Sequence, residues 1–249
     1  MRTSRPLAGF VTVAVAALLA TSGAQAMPAS PTAPPTYKLQ KAKLPDGTHR
    51  LTRWNPCQPT VTVRVNPVAV RGKAAKNAAV RDVKKAFAKV QAATGIDFTV
   101  KGRTKKVPRS TNISKLPAEI VVAFVRPRST DFSLAGSTAG QGGSQWRYWK
   151  AGNRWRLAAT RGYVVIDAPQ TASWSKGFGS GVTRGNLLLH ELGHVMGLLH
   201  VTNRHQLMYP NLSDATPNGY AKGDRIGLRK MGRSAGCIKV PAWVSRDLN

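Results

Sequence analysis

The chain has 249 residues, of which 38 are lysine or arginine and 10 are aspartate or glutamate, so its formal net charge is +28. Hydrophobic residues make up 42% of it, which supplies a folded core and excludes a wholly disordered polypeptide. The two cysteines are too few for a disulfide-rich scaffold. No apolar run after the first 26 residues approaches the length of a membrane span.

Residues 1–26 have the three parts of a signal peptide. Arg2 and Arg5 give a positive start, residues 10–20 are apolar, and residues 24–26 form an A-x-A cleavage site. The apolar part is short for a membrane anchor, which is the less favoured interpretation. We therefore predict an exported protein that is secreted and extracellular.

The next segment predicts no folded domain of its own. Residues 27–36 are proline-rich and indicate an extended tether, either a linker or a short propeptide. A lead-in strand and loop are predicted for residues 37–56. We therefore assign residues 27–52 to the linker or propeptide with its lead-in, and residues 53–249 to one folded domain.

Strand and helix patterns then alternate. Residues 60–66 alternate valine with polar residues, as a half-buried strand does, and residues 76–94 have helical spacing that ends at Gly95. Strands are also predicted at residues 97–101 and 118–125, the second apolar enough to be buried on both faces.

The middle of the chain contains a predicted hairpin. Residues 133–145 are rich in glycine and serine and fit a flexible loop. Residues 146–157 alternate aromatic and basic side chains around a turn at Gly152–Asn153. Such a surface can hold a polymer or a single strand, but we favour an amphipathic hairpin with its tryptophans packed inward. Residues 162–167 predict a central strand.

The most informative run is His-Glu-Leu-Gly-His-Val-Met-Gly-Leu-Leu-His, from His190 to His200. Thr183 can cap a helix here, which would place His190 and His194 one turn apart on the same face. Gly197 can adopt the left-handed conformation that ends a helix, and the returning chain can bring His200 to the same metal ion.

Three neutral nitrogen ligands leave a fourth position for water, which is typical of a catalytic zinc rather than a structural one. Glu191 follows the first ligand and is placed to take a proton from that water. Two alternatives stay open at this point: a helix with solvent-facing histidines, and a zinc that is only structural. After the run come Met208, a turn at Asn218–Gly219 and a predicted helix over residues 221–232.

The run matches H-E-x-x-H-x-x-G-x-x-H, the signature of the metzincin clan of zinc endopeptidases, and the chain most resembles the matrixin branch in a secreted bacterial form. Met208 lies eight residues after His200, the interval expected for matrixins, and Pro210 stands where astacins and serralysins carry a tyrosine. Val201 departs from the usual serine or threonine. The strong similarity covers residues 180–210.

The resemblance implies an α/β (α+β) metzincin-like zincin domain: a twisted, mostly parallel sheet, a metal-binding helix, a Met-turn and a C-terminal helix. It implies a substrate-pairing edge strand near residues 133–145. Site roles follow by similarity: zinc ligands His190, His194 and His200; general base Glu191; Met-turn residue Met208; and pocket-wall residues Tyr209 and Pro210.

The implied function is zinc-dependent hydrolysis of peptide bonds in protein or peptide substrates, with one catalytic Zn²⁺. Two alternatives are a non-catalytic basic envelope-binding protein with a structural zinc, and a zinc amidase that acts on cell-wall peptides. The intact Glu191 favours the protease, because a structural zinc site does not need that carboxylate.

Cys57 and Cys237 are predicted to form a disulfide, since an exported chain with one cysteine pair usually oxidises it. The rival interpretation makes Cys57 a latency switch that caps the zinc. Its Trp-Asn-Pro-Cys-Gln-Pro context lacks the motif that matrixins use for this purpose.

The positive charge is spread over the chain and mainly indicates solvated surface, although it also fits adhesion to anionic cell-wall polymers. No motif predicts specific nucleic-acid binding. The scarcity of acidic residues gives Ca²⁺ sites little support, and we expect a monomer.

Overall fold

The computed structural model describes residues 36–134, 136–242 and 244. The predicted signal peptide and almost all of the proline-rich tether lie outside these residues. The strands are β1 (Lys38–Leu39), β2 (Lys41–Lys43), β3 (His49–Leu51), β4 (Val61–Asn66), β5 (Phe98–Arg103), β6 (Ile120–Val125), β7 (Gly140–Ala151), β8 (Arg154–Asp167) and β9 (Leu198–Leu199). The helices are α1 (Lys73–Thr94), α2 (Arg184–Val195) and α3 (Lys222–Met231).

A five-stranded sheet in the order β5-β4-β6-β8-β7 forms one layer. The first four strands are parallel, and β7 is an antiparallel edge strand. The predicted mixed α/β fold with a mostly parallel sheet is therefore confirmed. All six residues of β6 are buried, as expected for a strand covered on both faces.

Helix α1 packs its apolar stripe into the main core, with Val83, Phe87 and Val90 buried. It begins three residues before the predicted start and ends as predicted, because Gly95 takes the left-handed conformation with φ 69°. Helices α1 and α2 share this core with β4, β6 and β8.

The hairpin turns at Gly152–Asn153 as predicted, since Ala151 pairs with Arg154. Its strands are longer than predicted: β7 starts at Gly140, so the second half of the glycine-rich segment is an edge strand rather than a loop. Inward packing of the aromatic residues is only partly right. Trp149 is 4% exposed, but Trp146 is 37% exposed.

The lead-in residues join the rest of the domain. Strand β1 pairs with β9, directly before His200, and β2 pairs with β3. Trp54 is buried and donates its indole N–H to the carbonyl oxygen of Val195 at 2.9 Å, at the end of α2. None of the helices in the described part of the chain has the length and apolar character of a membrane span.

Candidate metal centre

Helix α2 carries the first two histidines and is held on nearly all sides. Its N-cap is Thr183, whose hydroxyl oxygen accepts the backbone N–H of Asn186 at 3.1 Å, as predicted. Eleven of its twelve residues are buried. The helix therefore has little freedom to shift, which fixes the positions of His190 and His194.

The chain reverses at Gly197, which has φ 87°. This conformation favours glycine, and a Cβ there would also overlap the Cε methyl group of Met231. The reversal brings His200 back over the helix. The side chains of His190, His194 and His200 thus converge, with one potential ligand atom from each lying within 4.8 Å of the others.

The three Nε2 atoms point at one another. His200 Nε2 lies 3.1 Å from that of His190 and 3.0 Å from that of His194. Zinc–nitrogen bonds of about 2.0–2.1 Å place tetrahedral ligands slightly over 3 Å apart, so the spacing fits one zinc ion.

Backbone carbonyls select the ring tautomers. His190 Nδ1 lies 2.8 Å from the carbonyl oxygen of Leu207, and His194 Nδ1 lies 2.9 Å from that of Leu198. Because a carbonyl oxygen only accepts, each Nδ1 donates its proton and each Nε2 keeps a free lone pair. This is the orientation that a metal ligand needs.

Burial keeps these imidazoles neutral. It lowers the pKa of His190 to about 3, with a further contribution from His194, and the pKa of His194 to about 4. Burial also lowers the pKa of the more exposed His200. Neutral imidazole is the form that binds zinc, so the donor set fits the metal across the neutral pH range.

Glu191 lies beside the histidines in the same cavity, and its side chain is buried. Burial raises its pKa to about 8, although the backbone N–H of Gly142 partly opposes this by hydrogen bonding. A cation held by the three imidazoles would favour the charged carboxylate. A carboxyl group poised near neutrality suits proton transfer.

Strand β7 lies unusually close to α2. A Cβ on Gly142 would overlap the carbonyl oxygen of Glu191, and one on Gly140 would come within 3.0 Å of its Oε1. Glycine at these two positions therefore lets the edge strand rest on the helix beside Glu191. Sequence reasoning gave these glycines no such role.

Met208 is buried beneath the helix, and its Sδ would overlap a Cβ on Gly193, between the two histidines of α2. Asp224, at the start of α3, holds this turn. Its carboxylate accepts the backbone N–H groups of Leu207 at 2.7 Å and of Met208 at 3.3 Å. Asp224 was missed by sequence reasoning; an aspartate in the first turn of a predicted helix was its only signal.

The three histidines line a cleft of about 840 Å³. Pro210 lines the cleft, with Asn211 and Leu212 after it, whereas Tyr209 is half-buried and is not among the lining residues. Two aromatic residues outside the motif also line it. Tyr163 stacks on Phe132 with ring centroids 4.1 Å apart, and Trp174 was not singled out from the sequence.

The two cysteines form a disulfide with Cα atoms 5.4 Å apart and a sequence separation of 180. Cys57 is therefore engaged by Cys237 and not by the histidines. His205, in the loop after His200, is exposed. Among the described residues, the three converging histidines are the one cluster that could hold a metal ion.

A parallel-sheet domain with a helix-borne histidine pair, a third histidine after a glycine turn and a methionine beneath them defines a metzincin-type zinc metalloprotease. The sequence model of one family within this class, Matrixin, matches residues 53–231. The chain belongs to the matrixin family. No curated protein matches it closely enough to refine that assignment.

Proposed function

We propose that the protein is a secreted endopeptidase that hydrolyses internal peptide bonds, with Glu191 as general base. The observation that carries the proposal is the buried Glu191 carboxyl in one cleft with three imidazoles whose Nε2 atoms converge. A structural zinc site needs no such carboxylate and normally has a fourth protein ligand.

His190, His194 and His200 would hold one zinc ion. When bound, zinc supplies a Lewis acid that lowers the pKa of water to about 7 and polarises a carbonyl oxygen. Glu191 takes the proton of the attacking water and passes it to the leaving amine, which then departs as a neutral group. Met208 and Asp224 keep the floor of the site rigid during these transfers.

The edge strand β7 would hold the substrate. Residues 139–144 line the cleft, and β7 has β8 as its only neighbour in the sheet among the described strands. An extended peptide can add to such an edge by main-chain hydrogen bonds, which recognise many sequences. The closeness of Gly142 to Glu191 would then place the scissile bond beside the base.

Secretion is part of the proposal. A disulfide between Cys57 and Cys237 is compatible with an oxidising compartment outside the cytosol. Residues 1–26 read as a signal peptide. Mass spectrometry of protein exported by a host cell tests this, with a mature N-terminus at Met27 as the expected result.

The activity test uses the chain from Met27, a casein-like protein and a set of cell-wall peptides. We expect zinc-dependent cleavage of casein, inhibition by a chelator, and loss of cleavage in Glu191→Ala with one zinc still bound. Glu191→Asp is the matched control, because it keeps the carboxylate but shortens its reach. Cleavage of wall peptides alone would indicate the amidase, and zinc binding with no turnover would indicate the envelope-binding protein.

A further inference from the structure

A second concave site, here called the basic pocket, lies apart from the histidine cleft. It has a volume of about 560 Å³ and shares no lining residue with that cleft. Among the residues that the structure describes, six basic side chains line it and no aspartate or glutamate does. They are Lys41, His49, Arg50, Arg53, Arg156 and Lys239.

Two parts of the basic pocket lie outside the residues that match the family model. The lead-in hairpin of β2 and β3 supplies one wall, and the segment around Lys239 supplies another. Both lie outside the residues 53–231 that match the matrixin model. Arg53 and Arg156 lie inside the matched residues, so the pocket combines the matched domain with the segments on either side of it.

A disulfide and hydrogen bonds hold the segment before Lys239 in place. The disulfide fixes Cys237 to Cys57. Arg53 donates to the carbonyl oxygens of Gly236 at 2.8 Å and Ala235 at 3.0 Å, and the N–H of Ile238 donates to Asn55 Oδ1 at 3.1 Å. The basic side chains are thus mounted on a tied framework rather than on a loose terminus.

Few acidic side chains are available to neutralise the positive charge of the basic pocket. Among the acidic residues that the structure describes, five are buried: Asp82, Glu119, Asp167, Glu191 and Asp224. The exposed Asp46 carboxylate interacts electrostatically with Arg50, one of the side chains that line this pocket. Lys41, Arg50, Arg156 and Lys239 are all exposed and project from three separate parts of the chain.

We propose that the basic pocket binds a polymer that carries closely spaced phosphate groups along its backbone. Guanidinium groups match phosphate oxygens two at a time, and Arg50 and Arg156 lie in one site. Several cations around one concavity exceed what a single phosphate needs, but suit a chain that presents a charge in every repeat.

An acidic peptide is the less favoured occupant. Its charges lie at the ends of flexible side chains, each of which loses rotamer freedom when it is held. A phosphate polymer carries its charges on the backbone and avoids that cost. Its binding also releases counterions, so the affinity falls steeply with salt.

The test measures anisotropy of labelled long-chain inorganic polyphosphate with the chain from Met27, over a range of salt concentrations. The pocket variant is Arg50→Gln/Arg156→Gln/Lys239→Gln. We expect it to bind about tenfold or more weakly near 0.15 M salt, and three lost contacts to reduce the slope of log K against log salt by about 2. If the triple variant is unstable, Lys239→Gln alone should still lower both the affinity and the salt slope, by less than the triple variant would.

The matched control is Arg81→Gln/Lys84→Gln/Arg128→Gln, which removes the same charge from exposed positions outside the pocket. Equal losses in both variants, or no binding by the wild type near 0.15 M salt, would overturn the proposal. Polyglutamate of matched charge that binds as tightly, and depends equally on the pocket, would replace the phosphate polymer with an acidic peptide.

Binding at this site does not depend on the proposed protease activity. Glu191→Ala should bind polyphosphate as the wild type does, and the pocket variant should cleave a short neutral peptide normally. A failure of the binding site and a failure of the catalytic proposal therefore give different results.

Discussion

Arg184 and Asp82 form a buried ion pair that joins α1 to the start of α2. The guanidinium Nε donates to Asp82 Oδ2 at 3.0 Å, and the two side chains are 6% and 10% exposed. The guanidinium also lies over the ring of Phe124, 6.0 Å from its centroid. The helix that carries the candidate ligands is thus fixed at its first residue by a charge from another helix.

Asp82→Ala should strongly destabilise the protein. It leaves a buried guanidinium without its counter-charge, which costs about 3–5 kcal/mol. Urea unfolding measures the loss. The control is Asp97→Ala, which breaks the Arg233 ion pair, whose side chains are 59% and 50% exposed; exposed pairs contribute about 0–1 kcal/mol. Similar losses in the two variants would contradict a special role for the buried pair.

Gly142→Ala should impair hydrolysis. The added methyl group overlaps the Glu191 carbonyl oxygen, so either the edge strand or the helix has to move. A displacement near 1 Å can lower kcat/KM by about 100-fold. Gly143→Ala in the same strand is the control, since its closest neighbour is the Tyr163 hydroxyl at 3.0 Å, the end of a side chain. Equal effects would show that the contact with Glu191 is unimportant.

Asp224→Ala should weaken both the fold and the metal site. It leaves the buried N–H groups of Leu207 and Met208 without their acceptor, at about 1–3 kcal/mol each. The carbonyl oxygen of Leu207 also accepts the hydrogen bond that orients the His190 ring. Zinc affinity should therefore fall about 10–100-fold, as measured by competition with a chelator. Asp224→Asn keeps one acceptor oxygen and should lose less. Unchanged zinc affinity in both variants would show that the turn held by Asp224 does not affect zinc binding.

Cys57→Ser/Cys237→Ser should lower the free energy of unfolding by about 5 kcal/mol on the loop-entropy model, because the bridge closes a long loop. Denaturation with and without reductant measures this, and peptide hydrolysis at low temperature should persist. Activity that rises on reduction would instead revive a latency role for Cys57.

The local parts of the site were predictable because neighbouring residues determine them. The spacing of His190 and His194, the cap at Thr183 and the turn at Gly197 are each set within a few positions along one helix and its end. The position of Met208, eight residues after His200, was predictable from the resemblance to matrixins. Patterns of this range are readable from sequence alone.

The long-range parts were not predictable. Gly142 looks like any loop glycine until β7 is placed against α2, and Asp224 looks like an ordinary first-turn acid until the turn before Met208 contacts it. The pairing partner of Asp82 lies 102 residues away. No local pattern encodes such contacts, because they depend on how the elements pack.

The pairing of β1 with β9 has a consequence for shortened forms of the protein. A chain that begins at Arg53, the first residue of the family match, would keep every candidate zinc ligand but lose β1. Leu198 and Leu199 would then present open main-chain groups next to apolar side chains, a template on which strands from other molecules can add. We expect such a chain to self-associate and to elute as oligomers in size-exclusion chromatography.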